Sequence, residues 1–437
     1  MFKFLRRFSP LWRHADFNRL WAAQILSAFG SRVTRTAIPI IAVSVLMVTP
    51  WEAAVLSALS YAPYVLAGLL GGGFVERANK TRLMVAMDLV RFGLVIAVPL
   101  AWYFDLLSFP LLCLLAAGVG GASALFQNAD VAILPRLVGK DHLVEANSRL
   151  QATESIAELT GPGAAGILID LLTAPIAMVV DALTFIWSAF WLWRIPKQQG
   201  QATEEAKAEA VAQPSVWATL KADIVVGFFA IWRCRPMRAI ITGNFFWYIS
   251  AGFFFATLMV FLLRDLHMAP SVIGVMISVG GFSALLGSLC ARPLAKAIGY
   301  GPAIIAGFCF SVVGLLMLIP AAAFKEWALL FLVAQQFFGD FGIMIYTILA
   351  VSLQQKLLPE EELARANGFN QVVNGVGMTL AILIAGWVAE TIGVSNTVML
   401  GAGIAVLGIA PLLTPHLLSI REEPAGQDEA GAALAAD

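Results

Sequence analysis

Charge is scarce in this chain. Asp, Glu, Lys and Arg make up 13% of its 437 residues, about half of the roughly 25% typical of soluble proteins. The two signs balance, 28 basic against 28 acidic residues, so no basic excess is available for nucleic acid. Cysteine is scarce as well. Cys113, Cys234, Cys290 and Cys309 are scattered in apolar or near-membrane surroundings, with neither disulfide nor metal spacing. The four histidines, His14, His142, His267 and His416, fall at helix ends or in loops. No Gly-rich loop ending in Lys-Ser or Lys-Thr is present, so direct ATP coupling within the chain is not expected. These shortages exclude a soluble enzyme, a disordered protein and a nucleic-acid binder. No cofactor, metal or catalytic group is expected.

What is abundant is apolar surface. Hydrophobic residues reach 59% and mean hydropathy is +0.82. A helix crossing the hydrocarbon core needs roughly 20 apolar residues. Twelve such runs can be read, the first at 20–46 and the last at 396–418. Of the 28 Lys and Arg, 23 fall in the segments that share a side with the N-terminus, and only Arg264 and Lys325 fall in those opposite. Basic residues accumulate on the cytoplasmic side, so both termini are expected there. Four regions follow: a six-helix bundle over 1–194, a polar linker with an amphipathic inner-leaflet helix over 195–236, a second bundle over 237–420, and a disordered tail over 421–437.

The halves repeat at a shift of 220 residues. Leu137, Asn147, Gln151 and Gly166 meet Leu357, Asn367, Gln371 and Gly386 with no gap. The loop after the second run reads LGGGFVERANKTRL at 70–83. It resembles the loop signature of the major facilitator superfamily, with Gly72, Glu76, Arg77, Asn79, Lys80 and Arg82 in the signature places. Glu76 stands for the usual aspartate and Asn79 for the usual glycine. Asparagine tolerates the left-handed backbone of such a turn. The second copy, CARPLAKAIGYG at 290–301, keeps Gly299 but has Lys296 where the acid would stand. TGPGAAG at 160–166 resembles the Gly-Pro signature of exporters through Gly161, Pro162 and Gly166. FNRLWAAQILSAFGSRVTRTAIP (17–39), MDLVRFG (87–93) and LPRLVGKDHLVEANSRLQ (134–151) resemble the branch that holds macrolide-efflux proteins and enterobactin exporters. The resemblance implies an all-α membrane protein of twelve transmembrane helices in two pseudo-symmetric six-helix halves. It also implies proton-driven export of a drug-like compound or siderophore from a bacterial inner membrane.

Ionisable groups within spans are costly and face a cavity or a partner. Arg32 and Arg35, one turn apart, are read as facing inward together, onto an acidic substrate or as counter-ion to a proton-carrying acid; the alternative is a structural pair with another helix. Glu154 and Glu158, at i and i+4, discourage joint ionisation and suit a proton carrier; the alternative is pairing with a basic residue such as Arg149. Asp340 is the third proton candidate and Asp181 a further one. Asp88 and Arg91 form a favourable i, i+3 pair and join the conformational latch. Gln127, Asn128 and Asp130 are read as gate or loop contacts. Tyr61, Tyr64, Trp247, Tyr248, Gln336, Asn370 and Asn374 supply aromatic and amide contacts for an amphipathic ligand. Expected partners are that ligand, protons and membrane lipid, with the chain a monomer. A lysophospholipid flippase without proton coupling and a non-transporting scaffold or sensor are the alternatives.

Overall fold

The computed structural model describes residues 11, 14–139, 142–196 and 216–421. Most of the linker and the tail beyond Arg421 lie outside them. Among the described residues the fold is helical, with no strand. A bilayer core offers no water to the backbone, so each spanning segment must satisfy its own N–H and C=O groups.

The first half contains α1 (Ala15–Ile40), α2 (Pro50–Arg77), α3 (Lys80–Tyr103), α4 (Phe109–Val138), α5 (Leu143–Leu172) and α6 (Ala174–Trp193). The linker contributes α7 (Val216–Arg233). The second half contains α8 (Arg235–Val260), α9 (Pro270–Ile298), α10 (Tyr300–Leu316), α11 (Ala328–Leu357), α12 (Glu360–Ile392) and α13 (Val394–Leu407). Proline opens α4, α6 and α8, at positions whose N–H needs no helical partner. Ten helices, α3–α6 and α8–α13 with their short extensions, are long and apolar enough to cross a membrane. With α1, diluted by Asp16, Arg19, Gln24, Arg32 and Arg35, and with α2, they fill the twelve predicted places.

Two compact units result. The first is Met1–Val211 with Met268–Ser278, and the second is Ala212–His267 with Val279–Asp437. In the first, α1 packs on α5 and α6, α2 on α4, and α3 on α4 and α6. One end is closed by Phe17, Leu20, Met84, Ile133 and Leu192, all fully or almost fully buried. In the second, α10 packs on α11, α8 on α12 and α13, and α7 on α12. Helix α7 buries Gly227, Ala230 and Ile231 and exposes Val225, Phe229 and Trp232.

The backbone carries the 220-residue repeat further than side chains do. Helix α1 ends in a π-helical turn, Ile41–Val45, and α8 in another, Phe261–Asp265. Each is followed by a residue at positive φ, Met47 at 52° and His267 at 51°. The α5–α6 corner turns on Thr173 at φ 75° and the α12–α13 corner on Gly393 at φ 87°. The loop after α2 departs from expectation. Asn79 is extended (φ −69°) rather than left-handed, and its side chain caps α3 by accepting the Arg82 N–H. Helix N-caps adopt extended backbone, and that role prevails over the turn. Its repeat partner Gly299 is the left-handed one, at φ 96°.

Candidate functional site

Within the first unit, α1 and α5 are joined by polar contacts. Trp21 Nε1 donates to Thr153 Oγ1 at 3.0 Å. About three turns further along α1, Arg32 meets Glu154 Oε2 at 2.8 Å and Glu158 Oε2 at 2.6 Å. The i, i+4 spacing places both carboxylates within reach of one guanidinium. Gly161 makes room for it. A Cβ there would stand 2.7 Å from Arg32 Cγ and 2.9 Å from Arg32 Cβ. Arg149, the alternative partner, is paired with Glu145 instead, at 3.0 Å. Arg32 is thus held by the acids predicted to be proton carriers. Its side chain is 9% exposed, theirs 49% and 53%. Arg35 does not accompany it: Arg32 is buried and Arg35 exposed. Three residues turn a helix by about 300°, so neighbours at that spacing can fall on either side of a burial boundary. Asp130 belongs to the same region, accepting from Gln24 Nε2 at 2.5 Å and coupled electrostatically to Glu154.

A second ionic group lies where α1, α3 and α6 pack together. Arg91 is ion-paired with Asp88. Its guanidinium is 4.2 Å from the Phe126 ring centroid and 4.5 Å from that of Phe185. Asp181 on α6 is coupled electrostatically to both and takes the Thr184 hydroxyl at 3.1 Å. Asp88 and Asp181 are fully buried.

The Gly-Pro segment of α5 brings backbone against backbone inside the first unit. Gly163 N–H donates to Ser278 Oγ at 3.0 Å, and the Ser271 N–H donates to Asp170 Oδ2 at 3.1 Å. A Cβ at Gly166 would strike the Pro270 carbonyl, and one at Gly274 the Pro162 carbonyl. Close helix approach is the use expected of such small-residue runs. Of the loop residues, Lys80 is buried and Arg82 exposed. The side chains of Tyr64, Gly72, Glu76 and Arg77 lie outside the described residues.

The second unit holds a half-open cavity of about 280 Å³ among α8, α11 and α12, with Ile231 of α7 in its lining. Trp247, Tyr248, Asn370 and Asn374, four residues predicted to contact ligand, all line it. Sequence reasoning missed Asn244, Tyr346, Thr347, Gln354 and Asn367, which complete the polar wall. The Tyr346 hydroxyl donates to Asn244 Oδ1 at 2.8 Å, Gln354 Nε2 to Asn367 Oδ1 at 3.0 Å, and Asn370 Nδ2 to Gln354 Oε1 at 3.3 Å. Asn370 Oδ1 and Asn374 Oδ1 are buried and accept no hydrogen bond. No charged side chain is among the described residues that line the space. Such a wall suits an amphiphile that stacks on Trp247 and Tyr248 and meets the amide side chains of Asn370 and Asn374. Gln336 and Asp340 are not part of it. They face Gly280 on α9, where a Cβ would meet Asp340 Oδ2 and, at 3.0 Å, Gln336 Nε2. Tyr61 is half-buried on α2.

A repeated helical bundle with small-residue helix contacts and an amphipathic cavity defines a membrane transporter of the major facilitator type. The chain belongs to the transmembrane secretion effector family, whose profile matches residues 6–430. It is 23% identical over 421 residues to macrolide efflux protein A of Streptococcus pyogenes, covering 93% of this chain and 96% of that one. It is 25% identical over 347 residues to the lysophospholipid transporter LplT of Photorhabdus laumondii, covering 76% and 78%. Its fold is that of a bacterial homologue of the iron transporter ferroportin, solved in an inward-facing state. The TM-score is 0.75, with 15% identity and coverage of 94% of this chain and 100% of that one.

Proposed function

We propose that the chain is a secondary active exporter of a small amphipathic molecule. It works by alternating access in a bacterial inner membrane, with both termini cytoplasmic and protons returning as substrate leaves. The observation that carries this reading is the second unit's cavity, where aromatic rings and amide side chains stand side by side. The relation to macrolide efflux protein A supports a drug-like amphiphile, and the 23-to-2 division of basic residues supports the orientation. Proton coupling rests on Glu154 and Glu158, two half-exposed carboxylates sharing one guanidinium. A proton shifts the balance of conformations only by binding one of them better.

The test is expression in a bacterial strain deprived of its own efflux pumps, with erythromycin and a siderophore as probes. The expected result is lowered cell-associated probe, restored by a protonophore and by the Glu154→Gln, Glu158→Gln, Asp340→Asn triple variant. Probe levels equal to those of the empty strain would remove the export reading. The relation to LplT favours a second reading, movement of lysophospholipid without protons. Transfer of a fluorescent lysophosphatidylethanolamine that ignores the protonophore would select it.

A further inference from the structure

The group formed by Asp88, Arg91 and Asp181 has a charge count that does not close. Two carboxyl groups and one guanidinium share a volume from which water is excluded. Asp88 and Asp181 are 0% exposed and Arg91 is 5% exposed. A single uncompensated charge in such surroundings is far costlier than a neutral acid. The geometry distinguishes the two acids. Asp88 is in direct contact with Arg91, whereas the hydrogen bond recorded for the Asp181 side chain comes from the neutral Thr184 hydroxyl.

The surroundings are polar beyond what these bonds use. Thr34 of α1 stands beside Asp181, and Ser188 of α6 beside Asp88. Both hydroxyls are buried outside hydrogen-bonding geometry, and Asp181 Oδ2 and Asp88 Oδ2 are unpartnered too. The charged groups acting on Asp181 are Arg91 and Asp88 from α3. On α1, Arg32 is turned to Glu154 and Glu158 of α5. Helix α1 reaches Asp181 through Gly30, where any Cβ would strike Asp181 Oδ1 and Thr184 Oγ1.

We propose that Asp181 is a proton-binding site: it holds a proton in this conformation and gives it to water when the α1–α6 contact at Gly30 opens. On release the O–H bond of the acid breaks, its electron pair stays on Oδ2, and the proton leaves as hydrated H⁺. Asp88 stays ionised throughout as the counter-ion of Arg91. This rests on the proton-coupled reading above and adds a fully buried proton site to the half-exposed glutamates.

The full-length chain, purified in detergent at neutral pH, tests the proposal by infrared spectroscopy of the protonated-carboxyl C=O stretch. A band from a buried acid is expected in the wild type and lost in Asp181→Asn. It is also lost in Asp88→Asn, because Arg91 then ionises Asp181 and the count closes. Thr184→Val, which removes only a hydroxyl partner, shifts the band without removing it and serves if Asp181→Asn does not fold. A wild type without the band, or a band unchanged in Asp88→Asn or in Thr184→Val, overturns the proposal. In inverted vesicles with erythromycin in the medium, an imposed pH gradient, acid inside, accelerates uptake by the wild type but not by Asp181→Asn. No acceleration in the wild type sinks proton coupling itself. Equal acceleration in both sinks only the role of Asp181.

Discussion

Thr173 offers a measurement of stored backbone strain with a built-in control. It sits at φ 75°, ψ 154°, a region open to glycine and closed to β-branched side chains at a cost of about 1–3 kcal/mol. Its side chain is exposed, so little packing is lost on truncation. Its backbone bonds, N–H to the Ile169 carbonyl at 2.8 Å and C=O from the Ala177 N–H at 3.0 Å, survive any substitution other than proline. Thr173→Gly relieves the strain but gives the unfolded chain more freedom, an opposing effect of about 0.4–1 kcal/mol. The net expectation is stabilisation by about 1–2 kcal/mol, read as a raised unfolding midpoint in detergent. The control is Gly393, the repeat partner, at φ 87°, ψ 157°. A Cβ there would meet nothing within 4 Å, so Gly393→Thr isolates the backbone cost and should destabilise by a comparable amount. A neutral or destabilising Thr173→Gly, together with a harmless Gly393→Thr, would refute the argument.

Gly161→Ala forces a methyl against the stem of Arg32 and should destabilise by about 1–3 kcal/mol, as overpacking does. The penalty shrinks in an Arg32→Ala background, which a double-mutant cycle in unfolding midpoints would detect. Asn374→Ala removes an oxygen that has no protein partner; it should leave stability within about 0.5 kcal/mol and weaken ligand by about 1 kcal/mol, roughly fivefold. Titration of erythromycin against the fluorescence of Trp247 checks both the loss and its size. Asn79→Ala removes the cap of α3 and should cost about 1 kcal/mol, while Asn79→Ser, another good cap, should cost little; unfolding midpoints compare the two.

The architecture was legible because lipid imposes simple rules. Span length, proline at helix starts and apolar composition locate the helices, and the 220-residue repeat locates the halves. The candidate site was legible in part. Trp247, Tyr248, Asn370 and Asn374 were identifiable as polar or aromatic groups on apolar helices, and they do share a cavity. Asn367 belongs on the same stripe, three residues before Asn370, and that spacing was the signal that could have found it. Tyr346 and Gln354 needed the packing of α11 against α8 and α12. Spacing along one helix gives height and approximate azimuth, not the rotation of that helix against its neighbours. That is why Arg32 and Arg35 were read as facing one way, whereas Arg32 is buried and Arg35 exposed. It is also why Glu154 and Glu158 were weighed with Arg149 when the nearer cation lay on another helix. The role proposed for Asp181 comes from a charge count across α3 and α6, which no single segment displays.

The uncharged wall of the second unit's cavity bears on selectivity. A lining without formal charge neither attracts nor repels a ligand by sign, so cationic, anionic and neutral amphiphiles meet the same surface. Recognition there falls to shape and to the number of N–H or O–H groups offered to Asn370 and Asn374. Added salt, which weakens ionic capture, leaves such a grip nearly untouched.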